Sequence, residues 1–200
     1  RDMRDLINSS ATHYGNNVAF VVKHKKNRKE FNYEEITYNR FRDETIYFGT
    51  ALLKEGHAGK RIAIIGKNRY EWMIAYCSTL SGVGTCVPLD KGLPYEEVES
   101  SLIRSKSEVL VFDKEHLPQI ERMKAEGNVP TTTFICMDEI EGYKSISEYM
   151  AEGKEAFEAG YDEYTKLPID INEVNLLLFT SGTTSMAKAV MLSPRNLMSN

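Results

Sequence analysis

Between Phe179 and Ala189 the chain reads Thr180-Ser181-Gly182-Thr183-Thr184-Ser185-Met186-Ala187-Lys188. Five hydroxyls, one glycine and a closing lysine fall within nine residues. Hydroxyls and backbone N–H groups donate to anionic oxygens, Gly182 permits tight backbone geometry, and an ammonium adds charge-assisted bonds. That set of groups suits a polyphosphate. It also suits a solvated turn, because Ser, Thr and Gly are common loop residues. A P-loop is excluded, since the Gly-Lys-Ser/Thr ending is missing and a strand rather than a helix follows.

A loop of this kind needs rigid flanks. Asn175-Leu176-Leu177-Leu178-Phe179 and Ala189-Val190-Met191-Leu192 read as strands on either side, with Asn196 near the start of a helix. Upstream, strands and helices alternate. Residues 18–22 and 30–33 form a hairpin, and the solvated tip between them is Lys23-His24-Lys25-Lys26-Asn27-Arg28-Lys29. An anion or nucleic-acid patch is the other reading of that tip. Past residue 37, Phe41, Thr45, Phe48 and Leu52 recur at helical spacing. Continuous apolar runs at 61–66, 85–89, 108–112 and 132–136 suit strands buried on both faces of a parallel sheet.

Helices are expected between those strands. Asn68 can cap one that carries Trp72, Ile74, Ala75 and Leu80. Trp72 sits on its apolar face and is read as core. Pro94 opens the next helix, and Gly127 closes one over 115–126. Pro88 marks where ladder pairing should stop, and Asp90 after it reads as a turn residue. Residues 138–168 are rich in Glu and read as a surface helix followed by a linker. The alternation implies a doubly wound, mainly parallel α/β sheet with flanking helices.

Composition narrows the class. Of 200 residues, 42% are apolar and 27% charged, which excludes a disordered chain. No apolar run approaches the roughly 20 residues that span a bilayer, so no transmembrane segment is expected. The net charge of −4 argues against nucleic acid as the main partner. Cys77, Cys86 and Cys136 stand among apolar residues at wide spacing, as reduced core thiols of a cytoplasmic protein would. The four histidines form no metal-ligand spacing with them. The chain opens on Arg1-Asp2-Met3-Arg4, with no signal peptide, and is expected to be a piece of a longer polypeptide.

The stretch Leu178 to Val190 resembles the signature loop of the adenylate-forming (AMP-binding) superfamily, most like its acyl-CoA synthetases and long-chain fatty acid–CoA ligases. The usual form is an aromatic residue, then Thr-Ser-Gly-Thr-Thr-Gly, one residue, Pro-Lys-Gly-Val. Three further stretches agree in order: Phe31 to Ile36, Ile62 to Gly84 with Asn68, Glu71 and Trp72, and Gly82 to Asp90 followed by Pro94. Four positions depart from the pattern. Ser185 stands for glycine, Ala187 for proline, Ala189 for glycine, and Pro194 for the histidine of a Ser/Thr-His pair.

The resemblance implies that 1–200 form the N-terminal part of an adenylation domain, with the rest of that domain and a C-terminal domain lying beyond. It implies a ligase that attacks ATP with a carboxylate, giving acyl-adenylate, and then forms a thioester with CoA; a fatty acid is the expected carboxylate. By the same resemblance Thr180, Ser181, Gly182, Thr183, Thr184, Ser185 and Lys188 hold the nucleotide phosphates. No catalytic residue and no metal ligand is assigned within 1–200, and the Mg²⁺ ligand is expected downstream. The piece alone is expected to be inactive, to self-associate through an apolar edge near 176–192, and to carry a loop at 180–188 that is mobile without nucleotide. Two alternatives stay open: an amino-acid adenylation domain of the nonribosomal peptide synthetase type, and a non-catalytic nucleotide- or partner-binding α/β module.

Overall fold

Runs of four or five apolar residues with no polar alternation must be covered on both sides, and each of the four runs becomes a parallel strand. A computed structural model describes residues 1–27, 30–180 and 188–199. Its main sheet contains β3 (Arg61–Ile65), β4 (Thr85–Leu89), β5 (Val109–Phe112), β6 (Thr133–Cys136), β7 (Leu176–Thr180) and β8 (Lys188–Leu192). The strand order is β6-β5-β3-β4-β7-β8, parallel throughout except that β8 runs antiparallel to β7. The chain leaves β3 toward β4 and then returns to the other side of β3 for β5. That reversal makes the sheet doubly wound.

Each face of the sheet carries its own core. One buries Ile62, Ile64, Val109 and Val111 against α2 (Tyr38–Lys54), α3 (Tyr70–Ser78) and α6 (Ile146–Glu158). The other buries Ala63, Ile65, Leu110 and Phe112 against α4 (Tyr95–Ser105) and α5 (Leu117–Glu126). The alternation of adjacent residues between the two cores is the strand period of two. Phe41, Thr45, Phe48 and Leu52 form the buried stripe of α2 as their spacing requires. Gly127, at φ 66°, closes α5 in the left-handed region. The three thiols are free and buried. Among the described residues, no helix is long and apolar enough to cross a membrane.

Outside the main sheet, β1 (Val18–Lys25) and β2 (Phe31–Thr37) pair as the expected hairpin, with β1 running three residues into the lysine segment. Helix α1 (Met3–Tyr14) precedes it, with only Ile7 and Ala11 buried.

Four expectations need correction. The N-cap of α3 is Arg69 rather than Asn68, and it caps through no side-chain bond. Its guanidinium instead pairs with Glu71 at 2.6 Å and Asp138 at 2.8 Å. Pro88 does not end the ladder with β3, where it stands opposite Ile64. The amide of Cys86 donates toward β7, to Asn175 O, and residues two apart in a strand point their amides the same way. The missing N–H of Pro88 therefore faces β7, and pairing on that side is limited to Cys86 with Leu176.

Trp72 packs against the core as expected but is only half-buried. It stacks on Tyr76 at 5.1 Å and lines an open cavity of about 680 Å³ with Phe20, Val22 and Met73. Finally, residues 138–168 are no surface appendage. Helix α6 packs along α2 through Ile146, Tyr149, Gly153 and Ala156, and Tyr164 of the short α7 (Glu163–Lys166) is 1% exposed.

Candidate functional site

Strand β7 runs parallel to β4, so its last residue, Thr180, emerges at the carboxyl edge of the sheet. Strand β8 starts back from that same edge at Lys188. Thr180 and Lys188 are register partners, and the Thr180 hydroxyl donates to the Lys188 carbonyl at 3.3 Å. Both side chains are exposed. The two ends of the hydroxyl-rich loop are thus fixed as one hairpin. The other five predicted phosphate ligands, Ser181, Gly182, Thr183, Thr184 and Ser185, lie outside the described residues, as does most of the segment expected to be mobile.

The flanks are held from both sides. Phe179, the aromatic residue before the loop, lies under the Arg104 guanidinium at 5.2 Å. After β8, Ser193 caps α8 (Pro194–Met198) reciprocally. Its hydroxyl accepts from the Asn196 amide at 3.4 Å, and its own amide donates to Asn196 Oδ1 at 3.0 Å. Pro194 fills the first helical position, where a missing N–H costs nothing. The Ser-Pro departure from the family pattern is therefore a helix start.

The carboxyl ends of β3, β4 and β5 carry a network that the sequence did not reveal. Asp113 directly follows β5, and its Oδ1 lies 2.6 Å from His116 Nδ1. His116 Nε2 is 3.1 Å from the Lys91 carbonyl, and Asp113 Oδ2 accepts from the Lys67 amide at 2.8 Å. The ring of His116 thus bridges the Asp113 carboxylate and the Lys91 carbonyl. Gly66 lies close beneath: a Cβ there would sit 2.9 Å from Asp113 Oδ2. Asp90, in the same β4–α4 turn as Lys91, accepts from the Gly92 amide at 2.7 Å, as a turn residue should. One aspartate and one histidine thus tie together three loops at the ligand edge of the sheet.

Burial pushes the Asp113 carboxyl up, but the hydrogen bonds from His116 and the Lys67 amide outweigh it and hold the group below the usual carboxylate range. A folded-state value below the unfolded one stabilises the fold above the unfolded pKa, near 4. That stabilisation is lost as the pH falls through the depressed value. Urea midpoints should therefore drop as the pH is lowered below about 4, and Asp113→Asn should flatten that drop while lowering the neutral midpoint. Parallel pH profiles for the two chains would refute the assignment.

Among the described residues, no group of three or more His, Cys, Asp or Glu is placed to hold a metal ion.

A doubly wound sheet whose β7 and β8 bring Thr180 and Lys188 to its carboxyl edge belongs to the class of α/β proteins that place ligands at that edge. The chain belongs to the AMP-binding enzyme family, whose model matches residues 7–200. Long-chain-fatty-acid–CoA ligase 5 of Rattus norvegicus is 28% identical over 188 residues, covering 84% of this chain and 26% of that protein. Fatty acyl-CoA synthetase B of Dictyostelium discoideum is 28% identical over 210 residues, covering 98% of this chain and 30% of that one. The chain thus spans between a quarter and a third of the length of these relatives. In fold it is similar to a long-chain-fatty-acid-CoA ligase from Archaeoglobus fulgidus, with a TM-score of 0.79 at 19% identity over 97% of this chain and 36% of the other. It is also similar to the A-PCP didomain of a carboxylic acid reductase from Segniliparus rugosus, at 0.75 and 17% identity, over 98% of this chain and 32% of the other.

Proposed function

We propose that residues 1–200 form the N-terminal part of the adenylation domain of an acyl-CoA synthetase. The observation that supports this reading is the β7–β8 pairing, which sets Thr180 and Lys188, the two ends of the family's signature segment in the sequence, at the carboxyl edge of the sheet. In the proposed reaction a carboxylate oxygen attacks the α-phosphorus of ATP and pyrophosphate leaves. The thiol of CoA, losing its proton, then attacks the acyl carbon, and AMP leaves as the thioester forms.

Thr180, Ser181, Gly182, Thr183, Thr184, Ser185 and Lys188 are the proposed contacts to the β- and γ-phosphates. Donors and one ammonium there would offset charge on the departing pyrophosphate. ATP is proposed to enter with Mg²⁺, to which no described residue is assigned. A fatty acid as substrate is supported by the names of the ligase relatives above, and a reducing compartment such as the cytoplasm by the three free thiols. Self-association is supported by β8, which among the described residues pairs only with β7 and leaves Val190 42% and Met191 66% exposed.

The test is carboxylate-dependent exchange of labelled pyrophosphate into ATP. In the longer polypeptide, Lys188→Ala should lower kcat/KM for ATP by roughly 10- to 150-fold, the equivalent of one lost charge-assisted bond of about 1.5–3 kcal/mol. Its unfolding midpoint should not move, because Lys188 is exposed. The 200-residue chain alone should show no exchange. Unchanged kinetics in the variant would reduce Lys188 to a solubilising turn residue, and exchange by the short chain would place the machinery within it.

A further inference from the structure

The β1–β2 hairpin has no part in the reading above. Its register sets Val21 opposite Glu35, Lys23 opposite Tyr33 and Lys25 opposite Phe31. Side chains alternate across a strand, so these six share one face. The opposite face turns Phe20, Val22 and Ile36 onto the core. The outward face is open to solvent, with Val21 58%, Phe31 41% and Tyr33 64% exposed. Lys23, Lys25 and Lys26 are exposed beside them, and Lys23 Nζ lies 3.7 Å above the Phe31 ring. The apolar ground continues round the edge of β1 into the cavity lined by Trp72 and Met73.

We infer that this face docks on the surface of an anionic lipid bilayer. Aromatic rings settle at headgroup depth, and lysines beside them keep their ammonium groups among anionic headgroups while their stems lie along apolar neighbours. The carboxylates nearby leave the face basic. Glu30 lies 4.0 Å from Lys26, Glu34 is held on the inner face by Arg40 and His24, and Glu35 stands at the end of the face away from the tip. A nucleic acid would use the lysines but would gain little from Val21. The net charge of −4 over the whole chain is screened beyond about 8 Å at physiological salt, so the local patch governs contact.

The 200-residue chain is sedimented with phosphatidylcholine vesicles made with and without phosphatidylserine. Binding should require phosphatidylserine and weaken with salt. Lys23→Glu/Lys25→Glu/Lys26→Glu should lose about a hundredfold in partitioning, and Val21→Ser/Phe31→Ser/Tyr33→Ser at least about tenfold. On the unaltered chain, added phosphatidylserine vesicles should slow hydrogen exchange at the outer amides of β1 and β2, a readout that does not depend on any variant folding. Equal binding to both vesicle types, or unchanged exchange in the hairpin, would overturn the inference. So would binding to an oligonucleotide that the lysine variant loses and the apolar variant keeps.

Discussion

Gly153→Ala should destabilise the fold by about 3 kcal/mol, lowering Tm by roughly 6–12 °C. Helix propensity alone gives the opposite sign, since alanine in a helix interior is favoured over glycine by about 1 kcal/mol. Packing decides the matter. A Cβ at position 153 would lie 1.8 Å from the Tyr47 carbonyl oxygen and 2.6 Å from its carbon. Both belong to the backbone of α2, so no side chain can rotate away. The helices must part along a seam that also holds Tyr149 against Phe48, ring centroids 5.8 Å apart, and Phe157 against Tyr47 at 6.1 Å. Thermal unfolding of the variant gives the answer directly. A Tm equal to or above that of the unaltered chain would show that α6 does not pack on α2 this closely.

That seam also shows why part of the fold was legible in the sequence and part was not. Strands β3 to β6 announce themselves because burial on both faces leaves no room for polar residues, and each apolar run became a strand within a residue or two. Helix α6 buries Ile146, Tyr149, Gly153 and Ala156, two of which carry almost no hydrophobic signal because they are small. Smallness is what lets the helices approach, so the feature that positions α6 also hides its buried face. Helix α1 is hidden in the same way, with a buried stripe of only two residues. At the site, the Thr180–Lys188 frame was legible because both ends lie within one local motif. The Asp113–His116–Lys91 network was not, because it joins three loops that meet only once the sheet has formed its order.

Tyr164→Ala should cost about 4 kcal/mol, although the residue lies in a four-residue helix within a stretch that reads as linker. Its ring is fully enclosed, its hydroxyl donates to the Ser78 carbonyl at 3.1 Å, and burial pushes its pKa well above the usual tyrosine value. Arg4 of α1 closes the same region, donating to the carbonyls of Thr165, Leu167 and Ser81 at 3.1, 2.8 and 2.7 Å. Losing the ring therefore opens a cavity where α1, α2, α3 and α7 meet. The ring fits there because residue 49 is glycine: a Cβ at that position would stand 2.1–2.6 Å from three Tyr164 ring atoms. Gly49→Ala should accordingly destabilise by about 2 kcal/mol through overpacking. The two changes share one space, so their costs should not add. In the double variant Gly49→Ala/Tyr164→Ala the new methyl meets no ring, and the total should fall below the sum by at least about 1 kcal/mol. Tyr164→Phe, which keeps the ring and loses one hydrogen bond, should cost only about 1 kcal/mol beside it. Urea unfolding of the four variants beside the unaltered chain measures all of these terms. Strict additivity would mean that the Tyr164 ring does not lie over Gly49, and that the stretch after α6 is the linker its composition suggests.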